Sequence, residues 1–340
     1  MKWIALIAAS LGFFLLLYLV LHHDMATLWE QWLAIGATGY GLLVLIHTLP
    51  IALSALAWQS WGQTWNKAGE TPYPFSVFLL ARWIRESAKL LLPLAQIGGD
   101  VIGMRVMTLH GMKTKEAIAM TTADITLEVL AQLAFTAVGV ALLSLLVSAE
   151  QAYVFVLGLI GAGLVIVAFV AAQRWGLLHL IDKAIGFIAK PLLGSEKNLL
   201  GLHDSLLGYY RNKGAVIRSF MLHFAAWLAG AVEVWAIFWL IGHPITLLEA
   251  MLIEALVQAI KSVAFIIPAA LGVQEGAFIL VASTLLASTT PALALLASLV
   301  RRGRHLLMGL PALLWWHVYE LRALNRRGTL ERSQPKETQP

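Results

Sequence analysis

Long apolar stretches separated by short polar segments run along nearly the whole chain, and this pattern predicts a bundle of membrane-spanning helices. A helix that crosses a bilayer needs about 20 predominantly apolar residues. The stretches that approach or exceed this length are residues 3–21, 33–57, 117–147, 152–172, 219–241, 247–267, 276–300 and 305–319. We therefore predict an all-α, polytopic integral membrane protein with about seven or eight transmembrane helices.

Two segments, near residues 75–111 and 268–276, are apolar but interrupted by proline and glycine. Proline removes a backbone hydrogen-bond donor, and glycine permits tight turns and close helix approach. The interrupting residues are Pro93, Gly98, Gly99 and Gly103 in the first segment and Pro268, Gly272 and Gly276 in the second. We expect both segments to be broken or re-entrant, because a freed backbone group in a membrane must be satisfied by protein or cavity water.

The two broken segments share a motif that indicates an internal repeat. In each, paired aliphatic residues precede the proline, and two glycines four positions apart then enclose one carboxylate, which is Asp100 or Glu275. We predict a single domain over 1–325 with repeats 1–172 and 219–325, a basic cytoplasmic loop 173–218, and a polar disordered tail 326–340. The halves are parallel if the Pro93 segment turns back and inverted if it crosses the membrane. We favour a segment that turns back.

Composition narrows the function classes. Only 13% of residues are charged and 59% are hydrophobic, whereas about a quarter are charged in soluble domains, so a separate soluble catalytic domain is excluded. Cysteine is absent, which removes disulfides and thiolate catalysis. We attribute the net charge of +5 to cytoplasmic loops rather than to nucleic-acid binding. Since no Walker loop or metal-ligand spacing occurs, we expect no cofactor, no metal and no ATP hydrolysis within this chain.

Charged residues within the apolar segments are the candidates for function, because such residues are costly in lipid. Four of them, at i, i+3, i+4 and i+7, share one helical face. An interfacial helix and a hydrated groove for a headgroup both explain this stripe. The predicted substrate pathway consists of Arg82, Arg85, Glu86, Lys89, Asp100, Arg105, Asp124, Glu128, Glu254, Lys261, Glu275 and Arg301.

Three of the charged positions leave alternatives open. Glu254 and Lys261 lie on one helical face, so a purely structural pair between them competes with a transport role. Glu233 stands alone in its span, which suggests a carboxyl group held protonated by its surroundings.

Three arginines conflict with the predicted spans. If 276–300 and 305–319 both cross the membrane, then Arg301, Arg302 and Arg304 lie outside, against the positive-inside rule. The sequence leaves this conflict unresolved.

The motifs resemble those of the flippase-like membrane family typified by the transmembrane region of lysylphosphatidylglycerol synthase, and especially its hopanoid-biosynthesis-associated branch. The similar segments are Arg82-Trp-Ile-Arg-Glu-Ser, Leu92-Pro-Leu-Ala-Gln-Ile-Gly-Gly-Asp100 and Ile267-Pro-Ala-Ala-Leu-Gly-Val-Gln-Glu-Gly276. The likeness covers roughly residues 5–325. It implies a multi-pass protein of the bacterial inner membrane that moves or handles lipids. The aminoacyltransferase domain of the full-length synthase is missing, so we expect no synthesis of aminoacylated lipid.

These observations favour translocation of a hopanoid or phospholipid-type lipid through a hydrated polar groove. The alternatives are an intramembrane transferase or phosphatase acting on lipid, and a scaffold that recruits lipid-synthesis enzymes through the basic loop. The basic loop and tail predict that both termini are cytoplasmic. The expected partners are membrane lipids, with lipid-synthesis enzymes as further candidates and no nucleic acid. The oligomeric state does not follow from the sequence.

Overall fold

The computed structural model describes residues 2–65, 73–92, 95–146, 208–264, 267–286 and 288–333. Every regular element in these ranges is helical, which confirms the all-α class. The principal helices are α1 (Lys2–Leu21), α2 (Met25–Ala34), α3 (Gly36–Trp65), α4 (Phe75–Leu91), α5 (Ala95–Leu109), α6 (Thr114–Leu146), α7 (Lys213–Leu240), α8 (Leu247–Val263), α9 (Val273–Leu285) and α10 (Pro291–Ser333).

Three of the described helices are long and apolar enough to cross a membrane, and they lie in α3, α6 and α7. Helices α1 and α2 form one more candidate span, bent by 94° at the break between them. Asp24 begins α2 by accepting a hydrogen bond from the Ala26 amide. The predicted span 152–172 and the loop up to residue 207 lie outside the described residues.

The first broken segment is an antiparallel pair of short helices, α4 and α5, and Pro93 itself lies outside the described residues. A Cβ atom at Gly99 would lie 2.7 Å from the Arg85 carbonyl oxygen and 3.1 Å from the Lys89 amide nitrogen, and one at Gly103 would lie 3.2 Å from the Arg85 Cβ. Contacts thus join residues on opposite sides of the break, as a hairpin requires. With 17 and 15 residues, each helix spans about 22–26 Å, which is short of a full bilayer crossing.

The second broken segment consists of α8, a 3₁₀ turn at Pro268–Ala270, and α9. The chain reverses through three residues with positive φ, which are Ala269 at 54°, Ala270 at 46° and Gly272 at 71°. A Cβ atom at Gly272 would lie only 2.6 Å from the Gly12 carbonyl oxygen of α1. Glycine at this position therefore permits both the backbone turn and the close approach of α1.

The predicted spans 276–300 and 305–319 are wrong. Helix α9 ends at Leu285, and α10 begins at Pro291 and continues without interruption to Ser333. Proline is well suited to the first position of a helix because its fixed φ is helical and its missing N–H would be unsatisfied there. The arginines at 301, 302 and 304 consequently lie inside α10 rather than in an outer loop, which removes the conflict with the positive-inside rule. Residues 326–333 of the predicted tail are helical.

Helices α3–α6 and α7–α10 follow the same order of long, short, short and long elements, and α4 and α8 both contain 17 residues. Helices α3 and α7 are antiparallel, because Gly39 packs near Leu240, His47 binds Glu233 and Arg218 binds Ser60. Equivalent helices that run in opposite directions indicate an inverted repeat. The predicted count of four spans per half would instead give a parallel repeat. That count is wrong because it treats the α8–α9 hairpin as two crossings of the membrane.

The final long helix of each half packs against the hairpin of the other half. In one direction, a Cβ atom at Gly139 of α6 would lie 2.3 Å from the Ala255 Cβ of α8. In the other, the Trp83 indole of α4 donates a hydrogen bond to the Met308 carbonyl of α10 at 3.0 Å. The halves are thus interlocked, and each hairpin is held by charged and apolar contacts from both repeats.

The hairpin geometry predicts that Gly99→Ala lowers the free energy of unfolding by about 1–3 kcal/mol, because the new methyl group would push α5 away from the α4 backbone. Gly41→Ala is the matched control, since a Cβ atom there meets nothing within 4 Å. An exposed helical Gly→Ala change is expected to be neutral or to stabilise by up to about 1 kcal/mol. Denaturation with sodium dodecyl sulfate in mild detergent measures both. Equal stability of the two variants would contradict close packing in the hairpin.

Candidate functional site

Charged side chains within the helical bundle form two ion clusters, one on each hairpin. The first ion cluster consists of Arg82, Arg85, Glu86 and Lys89 of α4, Asp100 of α5, Asp124 and Glu128 of α6, and His223 of α7. The second ion cluster consists of His47 of α3, Glu233 of α7, Glu254 and Lys261 of α8, Glu275 of α9, and Arg301, Arg302, Arg304 and His305 of α10.

Arg85 is the centre of the first ion cluster. Its Nε lies 2.5 Å from Asp100, its Nη1 lies 2.7 Å from Asp124, and its Nη2 lies 3.0 Å from Glu128. The guanidinium also lies over the Trp58 ring, 5.2 Å from the centroid. Because the Arg85 side chain is fully buried, these three carboxylates replace the water that would otherwise solvate it.

Arg82 extends the first ion cluster along the same face of α4. Its Nη1 lies 3.0 Å from one oxygen of Glu128, and its Nη2 contacts the other oxygen, so the pair is bidentate. Asp124 in turn accepts a hydrogen bond at 2.9 Å from His223, if that Nε2 carries the proton. The predicted common face of Asp124 and Glu128 is therefore where α6 meets α4.

Exposure rises toward one edge of the first ion cluster. The side chains of Arg85 and Asp124 are completely buried, whereas Glu128, Asp100 and Lys89 are 16%, 13% and 12% exposed and Glu86 is 26% exposed. The accessible edge of the cluster is thus formed by Glu86, the most exposed member, with Lys89 and Asp100 beside it. A polar group arriving at that edge would meet Lys89 and Glu86 before Arg85.

One ion pair of the second ion cluster has its acid and base exchanged relative to the first. The acid Glu254 lies on the hairpin, and Arg301 on the long helix α10 binds it in a bidentate pair, with distances of 2.6 and 2.8 Å. Arg82 and Glu254 are each the eighth residue of their helices, and Asp124 and Arg301 are each the eleventh. At this pair of positions, the two halves therefore use the same places in their helices with the signs exchanged.

Two more ion pairs complete the second ion cluster. Arg304 binds Glu233 through Nε at 2.9 Å and Nη2 at 2.6 Å, and the His47 Nδ1 lies 2.6 Å from the other carboxylate oxygen. Arg302 binds Glu275 at 2.7 Å and also donates to the carbonyls of Ala269 and Ala270 at 2.9 and 3.0 Å. Arg302 thereby satisfies backbone acceptors that the 3₁₀ turn leaves free.

Several charged residues have other partners in the structure than those that the sequence suggested. Glu254 pairs with Arg301 and Gln258 rather than with Lys261, and Glu233 is isolated only within its own helix. Arg105 binds Glu320 of α10 at 2.7 Å rather than Asp100. A pair between helices distant in sequence leaves no signal in one helix, so these partners could not be predicted from the sequence.

Asp100 and Glu275 belong to different ion clusters, and no ion pair or hydrogen bond among the described residues joins them. The 3₁₀ turn that Arg302 holds packs against both α4 and α5, so the second broken element adjoins the first hairpin. A single pathway through both clusters stays a prediction, and this turn is the element along which it would run.

Sequence reasoning did not select seven participants in these clusters or their surroundings, which are His47, Trp58, His223, Arg302, Arg304, His305 and Glu320. The histidines at 47 and 223 lie in apolar helices, where an ionisable residue is itself a signal. Arg302 and Arg304 had such a signal as well, since they were part of the conflict with the positive-inside rule. Nothing local distinguishes Trp58 or Glu320, because their partners come from other helices.

A sequence model of the family described as "Lysylphosphatidylglycerol synthase TM region" matches residues 3–312. Searches of curated proteins and of solved structures gave no match. The match includes both hairpins and both ion clusters, and it ends within α10 between the second ion cluster and Glu320.

The geometry of the first ion cluster predicts that Arg85→Gln lowers the free energy of unfolding by about 3–5 kcal/mol, because three carboxylates lose their common cation. Arg85→Lys should fall between this variant and the wild type, since one ammonium retains the charge but not three directed donors. The control is Arg211→Gln, at an exposed position. Denaturant titration in detergent gives the order, and an Arg85→Gln variant as stable as the control would contradict the buried network.

Proposed function

The chain belongs to the family of the lysylphosphatidylglycerol synthase TM region, and from this membership we propose that it moves lipids between membrane leaflets. The observation that supports the proposal most is the position of two ion clusters on broken helices inside a multi-pass apolar bundle. Buried charges in membrane proteins usually mark the pathway of an ion or a substrate.

A lipid headgroup needs such a pathway because it cannot cross hydrocarbon unaided. The idealised cost of transferring an ion from water to a low-dielectric medium is tens of kcal/mol. Contacts with guanidinium, ammonium and carboxylate groups would replace water around the headgroup, while its apolar chains or rings remain in lipid. Arginine can bind phosphate through two parallel hydrogen bonds, and carboxylates accept hydrogen bonds from hydroxyl groups.

The graded exposure of the first ion cluster suggests how a headgroup enters. At the accessible edge, Lys89 lies 3.0 Å from Asp100 and 3.7 Å from Glu86. A headgroup anion could replace one carboxylate at Lys89 while the deeper pair between Arg85 and Asp124 remains closed. Exchanging ion partners in steps avoids exposing a bare charge to hydrocarbon at any stage.

The hopanoid-type headgroup remains part of the proposal alongside phospholipids. A polyol head carries no charge to desolvate, so its transfer costs less, and its hydroxyl groups would donate hydrogen bonds to Asp100 and Glu128. We further propose that the protein acts in the bacterial inner membrane with both termini in the cytoplasm.

We propose that the lipid leaves the protein chemically unchanged. The carboxylates of the described clusters are engaged by arginine, lysine or histidine, an arrangement suited to exchange of ionic partners. Mass spectrometry of lipid recovered after incubation with the purified protein tests this point. A product of altered mass that depends on the protein would favour the alternative of an intramembrane transferase or phosphatase.

Translocation predicts that Asp100→Asn combined with Glu275→Gln slows leaflet exchange by tenfold or more, about 1.4 kcal/mol in the barrier. The substitutions keep side-chain size while removing the charges that Lys89 and Arg302 bind. The assay uses vesicles containing purified protein and lipid with a fluorescent tail label, whose outer-leaflet fraction is reduced chemically over time.

Glu30→Gln is the matched control, since it removes an acid at an exposed position of α2. Its exchange rate should equal that of the wild type. Each single substitution is measured as well, so that a double variant that fails to fold does not end the test. Wild-type exchange in folded Asp100→Asn and Glu275→Gln proteins would refute the proposed route.

A further inference from the structure

The two halves place a pair of equivalent lysines in different surroundings. Lys89 is the fifteenth residue of α4, and Lys261 is the fifteenth residue of α8. The Lys89 ammonium lies 3.0 Å from Asp100 and 3.7 Å from Glu86. Among the described residues, Lys261 has no carboxylate within ion-pair distance, although it occupies the same place just before the break.

The acids that would balance Lys261 are absent or already bound. Gln258 occupies the helix position that Glu86 has in the first half, so one carboxylate is replaced by a neutral amide. Glu275 binds Arg302 at 2.7 Å, and Glu254 binds Arg301 through both oxygens. The repeat therefore retains the lysine but not its counter-charges.

The total charge of the second ion cluster leads to the same conclusion. With its histidines neutral, four cations face three carboxylates, an excess of one positive charge. These residues are Lys261, Arg301, Arg302 and Arg304, with Glu233, Glu254 and Glu275. Lys261 lies in the last turn of α8, just before the 3₁₀ turn whose carbonyls Arg302 binds. An unbalanced cation within an apolar bundle is costly, and a bound anion would remove that cost.

His305 provides an independent sign of a ligand. Its side chain is buried, with 5% of the residue exposed, and its Nδ1 has no hydrogen-bond partner among the described residues. It lies one helical turn after Arg302 in α10, and Arg302 binds the carbonyls of the 3₁₀ turn that follows the helix of Lys261. A buried polar atom without a partner loses its hydration, so a ligand that pairs with it gains affinity.

We propose that Lys261 and His305, beside Arg302, bind a phosphate group, and that this phosphate belongs to an anionic phospholipid headgroup. The inference rests on the proposed function and deepens it, because it names the class of lipid. The lysine ammonium supplies a point charge, the imidazole supplies a hydrogen bond, and the nearby guanidinium supports the same negative charge. Lys261 is partly exposed, whereas His305 is buried.

Equilibrium binding to the full-length protein in detergent micelles tests the site. The probe is phosphatidylglycerol with a fluorescent tail label, read by anisotropy. Lys261→Gln should weaken its binding roughly tenfold, since a charge-assisted contact is worth about 1.5 kcal/mol or more. Lys261→Arg should retain most of the affinity, and tail-labelled diacylglycerol, which has no phosphate, should bind wild type and variants equally.

Lys113→Gln is the charge-matched control, because that lysine side chain is 69% exposed. Its affinity for phosphatidylglycerol should match that of the wild type. Soluble competitors at constant ionic strength identify the source of the phosphate. Displacement by glycerophosphoglycerol alone assigns the site to a lipid headgroup, and displacement by inorganic phosphate as well assigns it to phosphate in general. Either result supports the anion site.

Stability without ligand provides the second test. Lys261→Gln should leave the melting temperature unchanged or raise it, because an unbalanced charge is removed. Lys89→Gln should lower it, since Asp100 and Glu86 lose a cation. Unchanged phosphatidylglycerol binding in Lys261→Gln overturns the proposal, and so does a melting temperature lowered as in Lys89→Gln. Binding requires no transport, so tight binding without leaflet exchange would refute only translocation.

Discussion

The structure depends on one constraint, which is that a charged side chain inside an apolar helical bundle must have a partner. Arg85 satisfies it with three carboxylates, and Glu233 satisfies it with Arg304 and His47. Removing a partner from a buried ion pair costs more than the pair contributes in total. These clusters therefore determine how the hairpins sit against the long helices, because each pair can form only when helices from distant parts of the chain approach closely.

The exchange of acid and base at one pair of equivalent positions follows from the same constraint. An inverted repeat places equivalent helices in equivalent surroundings, so the position of Arg82 corresponds to that of Glu254, and that of Asp124 to that of Arg301. Either order of acid and base satisfies an ion pair, since the attraction does not depend on which helix carries which sign. The helix positions are thus retained while the residues differ, and a search for identical residues in the two halves would miss the relation.

The hairpins combine this electrostatic requirement with a geometric one. Gly99 brings α5 against the α4 backbone, which places Asp100 next to Arg85 and Lys89. In the second half, the 3₁₀ turn exposes carbonyls that Arg302 binds while it also holds Glu275. The breaks near Pro93 and Pro268 therefore bring the polar groups of the hairpins against those of the long helices inside the bundle.

The helical class, the family resemblance, both breaks and most of the charged candidates could be predicted from the sequence. Apolar length, proline, glycine and charge within an apolar segment are local properties, and they carry the same physical meaning in any fold. The partners of those charges were decided only by tertiary structure, as with Arg105 and Glu320 or Asp124 and His223. The continuity of α10 was decided there as well, because its arginines are acceptable within a long helix only when Glu233, Glu254 and Glu275 from other helices neutralise them. Local sequence shows which groups need a partner, whereas the packing of distant helices determines which partner is within reach.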